Sequence, residues 1–205
     1  MQQPDYTTNP FGGAPSTPPV EYYRVGFGKR LVATLIDGLI TMTLVMGVAI
    51  VVMSLGLPNM SVVDEQLNDI ASMYRMFGIP TSAIEDIRGF LGGILMGSLA
   101  LSLLYPLIEG ITGASPGKRV LRIMVANADG SAASLPIYLR RFAVKNIANI
   151  LQVVALLPGL GFLEGFGFIL SLVIFFGCFA ALGAARMALH DIIAQTAVFH
   201  REDIR

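Results

Sequence analysis

Asp37 stands inside an apolar run from Leu31 to Leu57, and seven residues before it stands Arg30. A run of that length crosses a bilayer, since about 20 residues at ~1.5 Å rise span a ~30 Å hydrocarbon core. An acid near the middle of such a helix costs roughly 2.5–3.5 kcal/mol on insertion scales, which marks it as a residue with a role. Two roles suit an intramembrane carboxylate near an arginine. It can hold a cation or a proton in turn, or it can be locked by the arginine to join helices.

Arg30, Thr34, Asp37 and Thr41 repeat at offsets that keep them within ~60° on a helical wheel. Ser98, Ser102, Tyr105 and Glu109 repeat the same offsets in a second apolar run. If the two runs are antiparallel, Glu109 returns to the level of Arg30. Polar groups in lipid need partners, and one stripe facing the other supplies them.

The elements that position these residues follow from hydropathy and punctuation. A first helix is expected over about 28–57 and ends at Leu57–Pro58–Asn59. A short amphipathic helix is expected on the outer face over about 61–77, opened by Ser61 and Asp64 and carrying Val63, Leu67, Ile70, Tyr74 and Phe77. The second span, about 83–109, carries Gly89, Gly93 and Gly97, which let another helix approach closely. In the loop 112–137, the β-prone Val120–Val125 precedes the turn Asn127–Gly130 and predicts a small hairpin or extended segment. Pro136 opens a helix that supplies a third span over about 138–157, and a fourth follows over about 164–185, after the Pro158–Gly161 break. Glu164 at that break reads as the interfacial end of a span.

Composition agrees with a membrane class. The chain has 205 residues, 54% hydrophobic, and its mean hydropathy of +0.68 is too high for an ordinary soluble domain. Its zero formal charge conceals an asymmetry: residues 58–88 carry a net −3 and residues 112–145 a net +5. Lysine and arginine stay on the cytoplasmic side, so the second connection is inside and the first outside. Four crossings then put both termini in the cytoplasm, which suits Arg186, Arg201 and Arg205 near the C-terminal end. The basic load reads as a topology signal, and no nucleic-acid partner is expected. Residues 1–23, rich in proline, read as a disordered cytoplasmic tail, and 201–205 as a cytoplasmic end. No signal peptide precedes the first span. One cysteine and two histidines leave no basis for a disulfide, a thiolate cluster or a haem, so no cofactor and no metal is expected.

Several motifs in order resemble the RDD family of bacterial membrane proteins. They are Gly26–Leu31 with Ala33 and Ile36–Gly38, Ser115–Leu121, the Asp129–Gly130 turn, Leu139–Arg141, and Leu189–Asp191 with Ala194 and Thr196–Val198. The likeness covers about 24–200. It implies that Arg30, Asp37 and Asp191 are the Arg and two Asp for which the family is named, with His190 beside the last. Asp191 enters on this ground alone; by spacing it is an ordinary interfacial acid. The chain departs from the family in its long outer loop, 58–88, and in offering four crossings where three are commonly assigned.

The expected fold is an all-α membrane protein of about four transmembrane helices in the bacterial cytoplasmic membrane. Its polar cluster is Arg30, Asp37, Glu109 and Asp191, supported by Thr34, Thr41, Ser98, Ser102, Tyr105 and His190. Some family members resemble cation/proton antiporters, which implies transport of ions or small solutes. The alternative is a non-transporting adaptor or assembly factor whose Arg/Asp cluster is a structural lock. The partners expected are the lipid bilayer, a monovalent cation or proton, and further copies of the chain. Gly113–Arg119 falls short of a phosphate loop: it is one residue short and Arg119 replaces the Mg²⁺-binding hydroxyl. No protease or hydrolase motif is present, so no enzyme is expected.

Overall fold

The computed structural model describes residues 20–55, 72–79 and 81–205, the side chains of 81–88 excepted. Most of the expected outer helix 61–77 lies outside these residues, as does the proline-rich segment before Val20. Residues 72–76 are helical.

Two long helices carry the polar stripes: α1, Phe27–Ser54, and α2, Thr81–Thr112. Their apolar residues lack helical amphipathicity because lipid and protein sides are both apolar, and residues such as Leu35, Leu39 and Leu104 lie exposed. The helices pack through small residues. A Cβ on Gly93 would sit 2.7 Å from the Cα of Ala49, and one on Gly97 would press on Val48, whereas Gly89 meets nothing. The glycine stripe therefore serves the α1–α2 contact, and only Gly89 is left outside it.

Pro106 lies within α2 and cannot donate to the carbonyl four residues earlier. That carbonyl, on Ser102, accepts instead from Nδ2 of Asn149 at 3.2 Å. A polar residue from elsewhere in the chain thus satisfies a main-chain group that lipid would leave bare.

After α2 the chain makes a short helix α3, Pro116–Val120, a strand β1, Ile123–Asn127, and the helices α4, Leu135–Lys145, and α5, Ile147–Ala155. The single span expected over 138–157 is thus two helices broken at Asn146. The first half carries Arg140, Arg141 and Lys145, which hold it at the polar end of the bundle; the second half carries no charge. Helix α6, Leu163–Gly177, continues as a 3₁₀ segment Cys178–Leu182 and packs back on α5. Among the described residues, three helical stretches are long and apolar enough to cross a membrane: Phe27–Ser54, Gly89–Thr112 and Leu163–Leu182.

The chain ends with α7, Leu189–Ala194, and strand β2, Thr196–His200. The expected local hairpin does not form. Strand β1 pairs antiparallel with β2, from Ile123 opposite His200 to Asn127 opposite Thr196. Asp129 and Gly130 still make their turn, with Gly130 at φ +84°, but it leads into α4. The expected tail is also ordered from Val20 onward: Val25 N–H donates to Val198 at 2.7 Å, and Val20 and Tyr23 pack on Ala126, Ala197 and Phe199. Residues 201–205 are likewise fixed, through hydrogen bonds from Arg205 to Gly130 and from Ala132 to Arg205. The best-buried side chains, Ile123, Val125, Val198 and Phe199, belong to this small sheet, where water rather than lipid drives burial.

Candidate functional site

Three of the four predicted cluster residues meet through a fourth side chain. Arg30 Nη1 donates to Asp191 Oδ2, its Nη2 to the Arg186 carbonyl at 2.7 Å and its Nε to the Val25 carbonyl at 3.0 Å. Arg141 then joins the two acids. Its Nε donates to Asp191 Oδ1 at 2.9 Å, and its Nη1 to Glu109 Oε1. Glu109 accepts in addition from Lys118 Nζ, and from Lys145 Nζ at 2.9 Å. Asp191 is 0% exposed and also caps its own helix, accepting from Ala188 N–H at 3.1 Å.

Four cations, Arg30, Lys118, Arg141 and Lys145, thus face two carboxylates. Burial favours the neutral form of Lys118 and brings its pKa down to about 7, against the opposing pull of Glu109. Burial alone would raise Asp191, but the guanidinium of Arg141, and then that of Arg30, hold it well below the ordinary carboxylate value. His190 is pushed down to about 3 by burial and then by Arg141. Its Nε2 lies 3.1 Å from Arg141 Nη2, which can only donate, so the neutral ring accepts there and carries its proton on Nδ1. That Nδ1 is buried without a hydrogen-bond partner among the described residues.

Asp37 is not part of this network, contrary to the expectation that it would meet Arg30, Glu109 and Asp191. Its Oδ1 accepts from Tyr105 Oη and from Gly117 N–H, each at 2.7 Å, and its Oδ2 from Ser115 Oγ at 2.6 Å. All three donors are neutral. Two come from the start of α3, where Ser115 is the N-cap and Pro116 has no N–H that would need an acceptor. Gly117 is required by close approach, since a Cβ there would lie 2.3 Å from the Ala33 carbonyl oxygen.

A groove of about 500 Å³ runs along these residues. Thr34, Asp37 and Thr41 line one wall, Ser98, Tyr105 and Glu109 the other, and Ser115 and Lys145 complete it. Ser102 is not among them; its hydroxyl donates to the Leu99 carbonyl. Thr34 and Thr41 likewise bond carbonyls of their own helix, at Arg30 and Asp37.

Arg141, Lys118, Lys145, Ser115 and Gly117 were legible as motif and as charge but not as site residues. Counted as loop charge they indicate sidedness. The signal available was the acid count: buried carboxylates in helix stripes need cations, and residues 112–145 hold the surplus.

No curated protein and no solved structure matches the chain. The sequence model of the RDD family matches residues 24–195, which takes in α1 with Arg30 and Asp37, the Ser115–Arg119 segment, Arg141 and Asp191. The chain belongs to the RDD family.

Proposed function

We propose that this protein moves ions or small solutes across the bacterial cytoplasmic membrane by cation/proton exchange at the groove between α1 and α2, with Asp37 as the exchanging acid. The observation that carries this reading is the contrast between the carboxylates. Glu109 and Asp191 are held by cations, whereas among the described residues Asp37 is held by neutral donors only, and it borders the groove. Its charge is therefore not cancelled by an ion pair and is available to a cation or a proton.

The topology proposed with it has both termini in the cytoplasm. The hydrogen bond between Val25 and Val198 supports this, because a chain that returns to the side it left has crossed an even number of times. With three long apolar helices among the described residues, an even count leaves the remaining crossing to α5 and to residues 156–162, which lead from it into α6. Copies of the chain assembled side by side would widen a thin pathway.

The test is proteoliposome flux. Cation-driven proton movement that is present in wild type and lost in Asp37→Asn, with folding retained, is the expected result. A specific observation favours the second reading, a non-transporting adaptor: Arg30, Asp191, Arg141 and Glu109 form one continuous chain of ion pairs across α1, α7, α4 and α2. Background flux in both proteins, with lowered thermal stability in Asp37→Asn, would overturn transport and assign the polar residues to a lock.

A further inference from the structure

A second basic feature lies outside this site. Arg119, Arg122 and Arg201 line a pocket of about 370 Å³ together with Thr112, Ala114 and Met124. None of the lining residues among those described is acidic. The three guanidinium groups make no side-chain hydrogen bond or ion pair among the described residues, whereas every neighbouring cation of the cluster is paired. Three arginines arranged around one cavity repel each other unless an anion enters it.

The surroundings select the anion. Thr112 is the last residue of the α2 membrane stretch, so the pocket begins where hydrocarbon gives way to headgroups. Ile111 and Val120, adjacent in sequence to lining residues, are exposed at 53% and 67%. They offer apolar surface to acyl chains beside an anion-binding cavity. Arg122 holds a left-handed conformation, φ +53°, where glycine is the default residue, and it is positioned there by Arg201 N–H donating to its carbonyl at 3.0 Å. The strand pairing of β1 with β2 thereby brings the third arginine from the C-terminal end to the other two.

We infer that the pocket formed by Arg119, Arg122 and Arg201 binds the phosphate of an anionic phospholipid headgroup in the leaflet where α2 ends at Thr112. The inference goes beyond transport and stands whether or not flux is observed.

The experiment uses the full chain in phosphatidylcholine nanodiscs doped with spin-labelled phosphatidylglycerol or spin-labelled phosphatidylcholine, reading the motionally restricted fraction of each. A several-fold preference for phosphatidylglycerol is expected in wild type. Each basic residue near an anionic surface is worth about fivefold in association, so Arg119→Gln and Arg201→Gln each lower the preference and the double variant abolishes most of it. Arg119→Lys with Arg201→Lys retains most of it, and Arg205→Gln, a charge outside the pocket, leaves it unchanged. Added inorganic phosphate does not displace the lipid. Equal restriction of the two lipids in wild type, or a preference that Arg205→Gln lowers as much as the pocket variants do, overturns the assignment. Displacement by inorganic phosphate also overturns it, in favour of a free phosphate ligand.

Discussion

The main-chain N–H of Gly117 donates to Oδ1 of Asp37 at 2.7 Å, tying the start of α3 to the face of α1 across 80 positions of sequence. With Ser115 Oγ on the other oxygen, this contact makes Asp37 the seat of the segment that follows α2 as well as part of a groove wall. Loss of the seat and loss of the charge are separable by substitution.

Gly117→Ala keeps every hydrogen-bonding group but places a Cβ 2.3 Å from the Ala33 carbonyl oxygen and 2.9 Å from the Asp37 carboxyl carbon. Overpacking of this kind costs about 1–3 kcal/mol, read as a lower midpoint in thermal unfolding in detergent. Gly28→Ala, where a Cβ meets nothing, leaves the midpoint unchanged. Equal midpoints for the two variants would refute the close approach of α3 to α1.

Arg141 is the cation whose loss is most damaging, because both buried carboxylates depend on it. Arg141→Gln is expected to cost about 3–5 kcal/mol, since breaking a buried pair leaves charge uncompensated. Lys145 is 34% exposed and shares Glu109 with two other cations, so solvent screening limits Lys145→Gln to about 1 kcal/mol or less. Chemical denaturation of the two variants side by side gives the ranking, and a larger loss for Lys145→Gln would contradict it.

Stability rises with pH on both sides of neutrality, for two different residues. His190 is held neutral down to about 3 by burial, while an unfolded histidine takes a proton near 6.5. Between those values the unfolded chain binds more protons, so folding weakens as pH falls, by at most ~1.4 kcal/mol per pH unit. Below 3.8 Asp191 adds to the loss, as protonation removes its pairing with Arg141 and Arg30. Lys118, brought down to about 7 against an ordinary 10.5, gives the alkaline arm: its burial penalty is relieved as pH climbs through that interval. Thermal midpoints across pH should flatten in the acid arm in His190→Gln and in the alkaline arm in Lys118→Met. Unchanged slopes would assign the pH dependence to other groups.

Asn149 and Pro106 are coupled through a carbonyl that touches both. Asn149→Leu leaves Ser102 O without a donor and should cost about 1 kcal/mol. In a Pro106→Ala background the helix supplies its own N–H to that carbonyl, and the same change at Asn149 should cost much less. A double-mutant cycle with no coupling energy would show that the contact is not what satisfies the carbonyl.

Local chemistry made the helices and both polar stripes legible. Hydropathy alone places α1, α2 and α6, because an apolar stretch of bilayer length has few other uses. Helical periodicity correctly sets Thr34, Asp37 and Thr41 on one wall and Ser98, Tyr105 and Glu109 on the other. The small sheet was only half legible: β1 shows its strand propensity, but nothing local says that its partner begins at Thr196.

Sequence by itself determined which residues could not rest in lipid, Asp37 first among them, because a short acidic side chain deep in a long apolar run is costly whatever its partner turns out to be. Tertiary structure decided who answers each of them. Arg30 sits on the same helix face as Asp37 yet pairs with Asp191, and Asp37 is met by Ser115, Gly117 and Tyr105 instead. The reason is that periodicity orders residues along one helix, whereas pairing depends on how the short helices α3, α4 and α7 dock against it. Lys118 and Arg141 become buried only when the β1–β2 sheet and the long helices enclose them, and no spacing within the chain records that enclosure.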